Sequence, residues 1–102
     1  MAEGSRITTY HEFWPLYLSQ HSHPVNRWLH FAGTTIALAF IVAAVVKAEG
    51  SYLLWALFSG YGLAWFGHFF IEKNRPATFQ YPIWSFISDW RMWILTLFRR
   101  AL

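Results

Sequence analysis

Four of the five histidines in this chain fall into two short segments. His21, His23 and His30 lie within ten residues of one another, and His68 is followed four residues later by Glu72. Imidazole nitrogens and a carboxylate, with no cysteine anywhere, form a ligand set suited to iron, manganese or zinc, held as one ion or two neighbouring ones. His11 stands apart on the polar side of its segment and reads as a solvated surface histidine. Around the cluster, the Asn26 amide is placed to orient an imidazole or a bound acid. Glu72 is the candidate to orient a ligand imidazole or to accept a proton. The guanidinium of Arg27 or Arg75 could meet a carboxylate through two parallel hydrogen bonds, with Lys73 as a stop signal beside them. Other chemistries are excluded: without cysteine there is no thiol nucleophile or disulfide framework. No G-x-S-x-G or phosphate-cradling glycine loop occurs.

These residues must be positioned by helices. The windows 28–46 and 52–71 carry no formal charge, and each spans about 30 Å as a helix, the thickness of a hydrocarbon core. Lys47, Ala48, Glu49, Gly50 and Ser51 between them supply charge, a flexible glycine and an N-cap candidate, as a tight antiparallel connection requires. A hairpin turning near Glu49 sets His30 level with His68 and Asn26 level with Glu72. On an α-helix, His68 and Glu72 also share a face. Pro24 suits a first helical turn and leaves His21 and His23 free to reach inward. All candidate ligands therefore gather at one end.

Two flanking segments are amphipathic. In 10–20, Tyr10, Phe13, Trp14, Tyr17 and Leu18 form a helical stripe behind a capping box of Thr9 and Glu12, with Pro15 expected to kink the helix or delay its start. In 83–100, Ile83, Phe86, Ile87, Trp90, Ile94, Leu97 and Phe98 line one face and Ser85, Asp89, Thr96 and Arg100 the other. This reads as a helix at the interface or packed obliquely on the hairpin, since Asp89 and Arg91 near its middle make a third span costly. The expected fold is all-α: one integral-membrane helical domain over 1–102, a central hairpin between amphipathic helices.

Composition agrees. The 102 residues are 56% apolar and 22% aromatic but only 13% charged, more apolar side chain than so small a soluble globule can hide. Arg6, Arg27, Lys73, Arg75, Arg91, Arg99 and Arg100 flank the outer ends of the hairpin and Lys47 alone lies in its turn, so both termini are expected on the cytoplasmic side. No cleavable signal peptide is expected. The net charge of +3 is explained by lipid headgroups and requires no nucleic acid. The aromatic, lipid-facing surface makes self-association plausible, although no GxxxG pattern specifies a dimer face.

The string H-S-H-P-V-N-R-W-L-H at 21–30 and the string G-H-F-F-I-E-K-N-R-P-A at 67–77 together resemble the paired signature of the membrane-bound, iron(II)-dependent 2-hydroxy fatty acid dioxygenases of fatty-acid α-oxidation. Ile71 stands where that family often has Phe. Yeast-type members have further hydrophobic segments between the motifs, and this chain has one short turn. The resemblance implies His21, His23, His30 and His68 as ligands of Fe2+, with a 2-hydroxy fatty acid and O2 as substrates. The products would be the acid one carbon shorter and CO2, in a bacterial inner membrane or endoplasmic reticulum. Since a hydroxy-carboxylate chelates through two oxygens and O2 needs a position too, three protein ligands suit the reaction better than five. The alternative is a non-catalytic small membrane protein that binds metal or haem.

Overall fold

Pro24 opens the first long helix at a position where its missing N–H costs nothing. The computed structural model, which describes residues 7–98, contains four α-helices: α1 (Tyr10–Ser19), α2 (Pro24–Val46), α3 (Tyr52–Phe66) and α4 (Pro82–Leu97). The chain is π-helical after α3, over Gly67–Glu72, and makes one 3-10 turn at Ala77–Phe79. No strand occurs among the described residues. Arg6, Arg99 and Arg100 lie outside them.

The hairpin is α2 against α3, joined through a turn in which Ala48, rather than Gly50, takes the left-handed conformation (φ 51°). Ser51 has helical dihedrals and makes no side-chain cap bond, so its expected capping role is not realised. The two helices approach closely because small residues meet: Gly33, Ala37 and Ala44 of α2 are buried, as are Ala56 and Ala64 of α3. A Cβ on Gly33 would lie 3.0 Å from the Ser59 carbonyl oxygen and 3.2 Å from that of Gly60. Small-residue spacing of this kind lets backbones meet where lipid offers no hydrophobic drive between helices.

α2 and the stretch Tyr52–Glu72 are both long and apolar enough to cross a membrane. Their outer faces are bare hydrocarbon: Val45 is 77% exposed and Phe58 71%.

α1 keeps its helical form through Pro15 and begins where Thr9 caps it, its Oγ1 accepting from the Glu12 N–H at 3.3 Å. It lies on α4, where Phe13 and Tyr17 pack with Tyr81, Met92 and Ala77 in a buried cluster. α4 keeps the two faces read from the sequence and packs on α2 and α1. Its polar stripe faces inward, with Ser85 and Ser88 buried, while Ile83, Phe86, Ile87, Ile94 and Leu97 are exposed. Two of the inward polar groups have partners: Tyr10 Oη and Ser88 Oγ are 2.9 Å apart, and the Tyr17 hydroxyl donates to Asp89 at 2.5 Å. Arg91 sits with its guanidinium 4.0 Å from the Trp14 ring centroid. In lipid this orientation suits the helix, because the apolar face meets hydrocarbon and Ser88 and Asp89 meet partners inside.

Gly33→Leu forces the hairpin apart and should destabilise the protein by about 1–3 kcal/mol, the usual range for overpacking. Gly62→Ala, at a position with nothing within 4 Å, should not lower stability, because alanine is the better helix former. Thermal unfolding in detergent compares the two.

Candidate metal centre

Three elements each deliver one imidazole to the same point. His21 comes from the loop after α1, His30 from the second turn of α2, and His68 from the π-helical stretch after α3. All three side chains are buried, and one ligand atom from each lies within 4.8 Å of the others. Ring centroids are 4.5 Å apart for His21 with either partner and 5.1 Å for His30 with His68. The level pairing of His30 and His68 is the one the hairpin register requires.

The outer nitrogens of His21 and His68 are each held by a hydrogen bond, and that of His30 faces a carboxylate. His21 Nδ1 lies 2.6 Å from the Tyr17 carbonyl oxygen, which can only accept, so Nδ1 carries the proton and Nε2 the lone pair. His68 Nδ1 lies 2.7 Å from Asn74 Oδ1. The Asn74 amide nitrogen donates to the Gln20 carbonyl at 3.1 Å, which fixes the amide and makes His68 Nδ1 the donor. Facing His30 Nδ1 is Asp89 Oδ1 at 3.9 Å. These are the orienting contacts that metal-binding histidines characteristically make.

Toward the middle, His21 Nε2 and His30 Nε2 are buried without a partner. Between the three rings is a space of about 10 Å3, also lined by Tyr61, Trp65 and Ser85. That is close to one water-sized sphere, room for an ion and far too little for a porphyrin. Burial, reinforced by His68, lowers the His21 pKa to about 3, so the ring is neutral with its lone pair available. Burial also raises the Asp89 carboxyl to about 7. Orphaned imidazole nitrogens, a neutral His21 and braced tautomers fit a metal ion.

The remaining sequence candidates sit around this centre. His23 does not join the cluster. Its ring is exposed, and Nδ1 caps α2 by accepting from the Val25 N–H at 3.1 Å, because an N-terminus beginning with proline needs an acceptor just before it. Glu72 and Asn26 clasp each other across the hairpin and do not touch an imidazole. The Glu72 carboxylate accepts from the His23 N–H at 2.7 Å, the Ser22 hydroxyl at 3.3 Å and the Asn26 amide at 3.2 Å. Asn26 is fully buried and lies so tightly on Gly67 that any side chain there would collide with it. Arg27 is half-buried and its Nε donates to the His21 carbonyl at 2.6 Å, bracing the backbone of a candidate ligand rather than reaching outward. Arg75 is exposed at the same end, its guanidinium 5.5 Å from the Phe79 ring centroid.

Three participants were missed: Tyr17, Asn74 and Asp89. A signal existed for Asp89, because an acid amid apolar residues at membrane depth is expensive and implies a partner. Asn74 reaches His68 because the π-helical stretch ends in left-handed Lys73 (φ 59°), which folds the chain back so that the Asn74 N–H donates to the His68 carbonyl at 2.9 Å. π-helical insertions of this kind gather at functional sites.

An apolar helical hairpin with a buried three-histidine site at one end defines a class: small helical proteins, with two helices able to span a membrane, that can hold a metal ion between their helices. Within it, the chain belongs to the Mpo1-like family, described as 2-hydroxy-palmitic acid dioxygenase Mpo1-like, whose model matches residues 7–101. No curated protein and no solved structure matches the chain.

Alanine at His21, His30 or His68 should each empty the centre. Asn74→Ala and Asp89→Asn should weaken metal affinity by about 10- to 100-fold, as loss of an orienting partner does. His23→Ala should retain full metal and lose about 1 kcal/mol of stability with the cap. Metal content after dialysis against buffered metal, paired with melting curves, distinguishes these outcomes.

Proposed function

We propose that this protein is an iron(II)-dependent dioxygenase that converts a 2-hydroxy fatty acid and O2 to the acid one carbon shorter, CO2 and water. The convergence of three buried imidazoles, each with its outer nitrogen occupied or faced, carries the reading. The family's name supplies the substrate class and the type of reaction. The atoms balance without an outside reductant: one O2 supplies the second oxygen of the new carboxyl and the oxygen of water, and the original carboxyl leaves as CO2.

His21, His30 and His68 would hold the iron. When bound, ferrous iron supplies the one-electron chemistry that O2 requires. The chain's own residues do the rest. Three ligands leave positions for a chelating hydroxy-carboxylate, which explains a preference for the 2-hydroxy acid. Ser85 Oγ and Trp65 Nε1, buried without partners among the described residues and lining the same space, are the donors assigned to the substrate's carboxyl group. Arg75, exposed at the mouth, is assigned to attract the carboxylate, and Arg27 to hold the His21 backbone. Glu72 and Asn26 are assigned to lock α2 to the π-helical stretch, so that His30 and His68 keep their separation. Burial of the centre excludes bulk water, which strengthens each of these contacts.

The protein is read as integral to a bacterial inner membrane or the endoplasmic reticulum. Both helix ends that carry Arg27, Lys73 and Arg75 would face the cytoplasm, where anionic headgroups attract them. Lipid is then the medium that delivers the substrate, and no nucleic acid is involved. Self-association would use the exposed apolar faces.

Aerobic incubation with 2-hydroxy-palmitic acid should yield the shortened acid. A chelator should abolish turnover, Fe2+ should restore it and Zn2+ should not, and palmitic acid without the hydroxyl should be inert. Equal turnover without O2 or with zinc contradicts the assignment. An iron-loaded protein that never turns over favours the non-catalytic metal-binding alternative. For the topology, Gly50→Cys and Thr8→Cys should be labelled by a membrane-impermeant thiol reagent from opposite sides of the membrane. Labelling from one side removes the hairpin reading.

A further inference from the structure

α3 and α4 both pack on α2 but make no extended packing with each other. What remains between them is a half-open groove with α2 as its floor. At one end are His30 and Asp89, and Tyr61 and Ala64 border both the groove and the space between the imidazoles. The groove therefore begins at the metal centre. Small residues line it on the hairpin, Ala37 on the α2 floor and Ala56 and Gly60 on the α3 side, and the α4 side is walled by Phe86 and Trp90. The far end is reached at Ile41 and Leu57.

Length selects the occupant. From His30 to Ile41 is eleven residues along α2, about 16 Å at the helical rise of ~1.5 Å. The hydrocarbon core is about 30 Å thick and holds two leaflets, so one lipid acyl chain occupies about 15 Å of it. A polar end with an unpartnered, buried His30 Nε2 and an apolar remainder of this length match one molecule type: a long-chain acid with its oxygen atoms at the centre. With the hairpin in a membrane, the open side would face hydrocarbon, and the tail could enter from lipid without crossing water.

We infer that the groove between α3 and α4 is the acyl-tail site, with Ala37 and Ile41 setting the chain length accepted. The inference rests on the dioxygenase reading for the identity of the head group, but the tail site has its own readout.

Metal-loaded protein in detergent, incubated with 2-hydroxy-palmitic acid carrying a diazirine near the tail end, is irradiated and the adducts are mapped by mass spectrometry. Label should fall on Ile41, Leu57, Phe86 or Trp90 and be displaced by unlabelled 2-hydroxy-palmitic acid. Ala37→Leu, which fills the groove partway, should shift the competition by about tenfold or more toward a medium-chain 2-hydroxy acid. Ile41→Ala should shift it toward chains longer than palmitic. Opposite shifts cannot arise from misfolding, and Phe58→Leu on the outer face should cause neither. Label spread over outer-face residues such as Leu53 and Phe58, or competition unchanged by Ala37→Leu and Ile41→Ala, overturns the tail site. Groove labelling without turnover upholds the site and rejects the dioxygenase reading instead.

Discussion

An imidazole nitrogen buried without a partner costs free energy comparable to a lost hydrogen bond, and here two such nitrogens face one small space beside a third histidine. The rest of the structure is arranged to keep them there. Gly33 and Gly67 let α2 come close to α3 and the π-helical stretch that follows it, Asn26 and Glu72 pin them at the mouth, and α1 ends where its Tyr17 carbonyl can hold His21. A bound cation turns this cost into a gain, since metal affinity becomes folding free energy when the site exists only in the fold.

Two helices long and apolar enough to cross a membrane go with features that a soluble bundle would not tolerate. α4 turns its serines and Asp89 inward and its isoleucines and phenylalanines outward, so the element that closes the site from one side is polar toward it. Asp89 links the Tyr17 hydroxyl to the edge of His30, bringing α1, α2 and α4 together at one half-buried carboxyl. Burial that keeps His21 neutral also keeps water from the centre, and the gap left between α3 and α4 is apolar for the same reason.

Much of this was legible in the residues. Charge-free windows of hydrophobic length located the hairpin, and its register alone placed His30 beside His68. The helix began at Pro24, ahead of window 28–46, because the charge-based window stopped at Arg27 although Pro24 supplies a good first turn. His23 was indistinguishable from His21 by spacing, since capping depends on which backbone N–H groups the local turn exposes. Asn74 was hidden because a π-helical stretch shifts every following residue relative to an α-helical projection. The amphipathicity of α4 was visible, but which face turns inward is decided by the solvent, and in lipid the soluble-protein rule reverses. The family, read from the motifs at 21–30 and 67–77, is the one that matches residues 7–101.

The central claim is that His21, His30 and His68 bind one iron together. X-ray absorption at the iron edge of the Fe2+-loaded protein tests it most directly. The account predicts a first coordination shell with three imidazole nitrogens, unchanged in His23→Ala and reduced in any His30→Ala protein that retains iron. A shell containing only oxygen, or one identical in the wild-type and His30→Ala proteins, would contradict it.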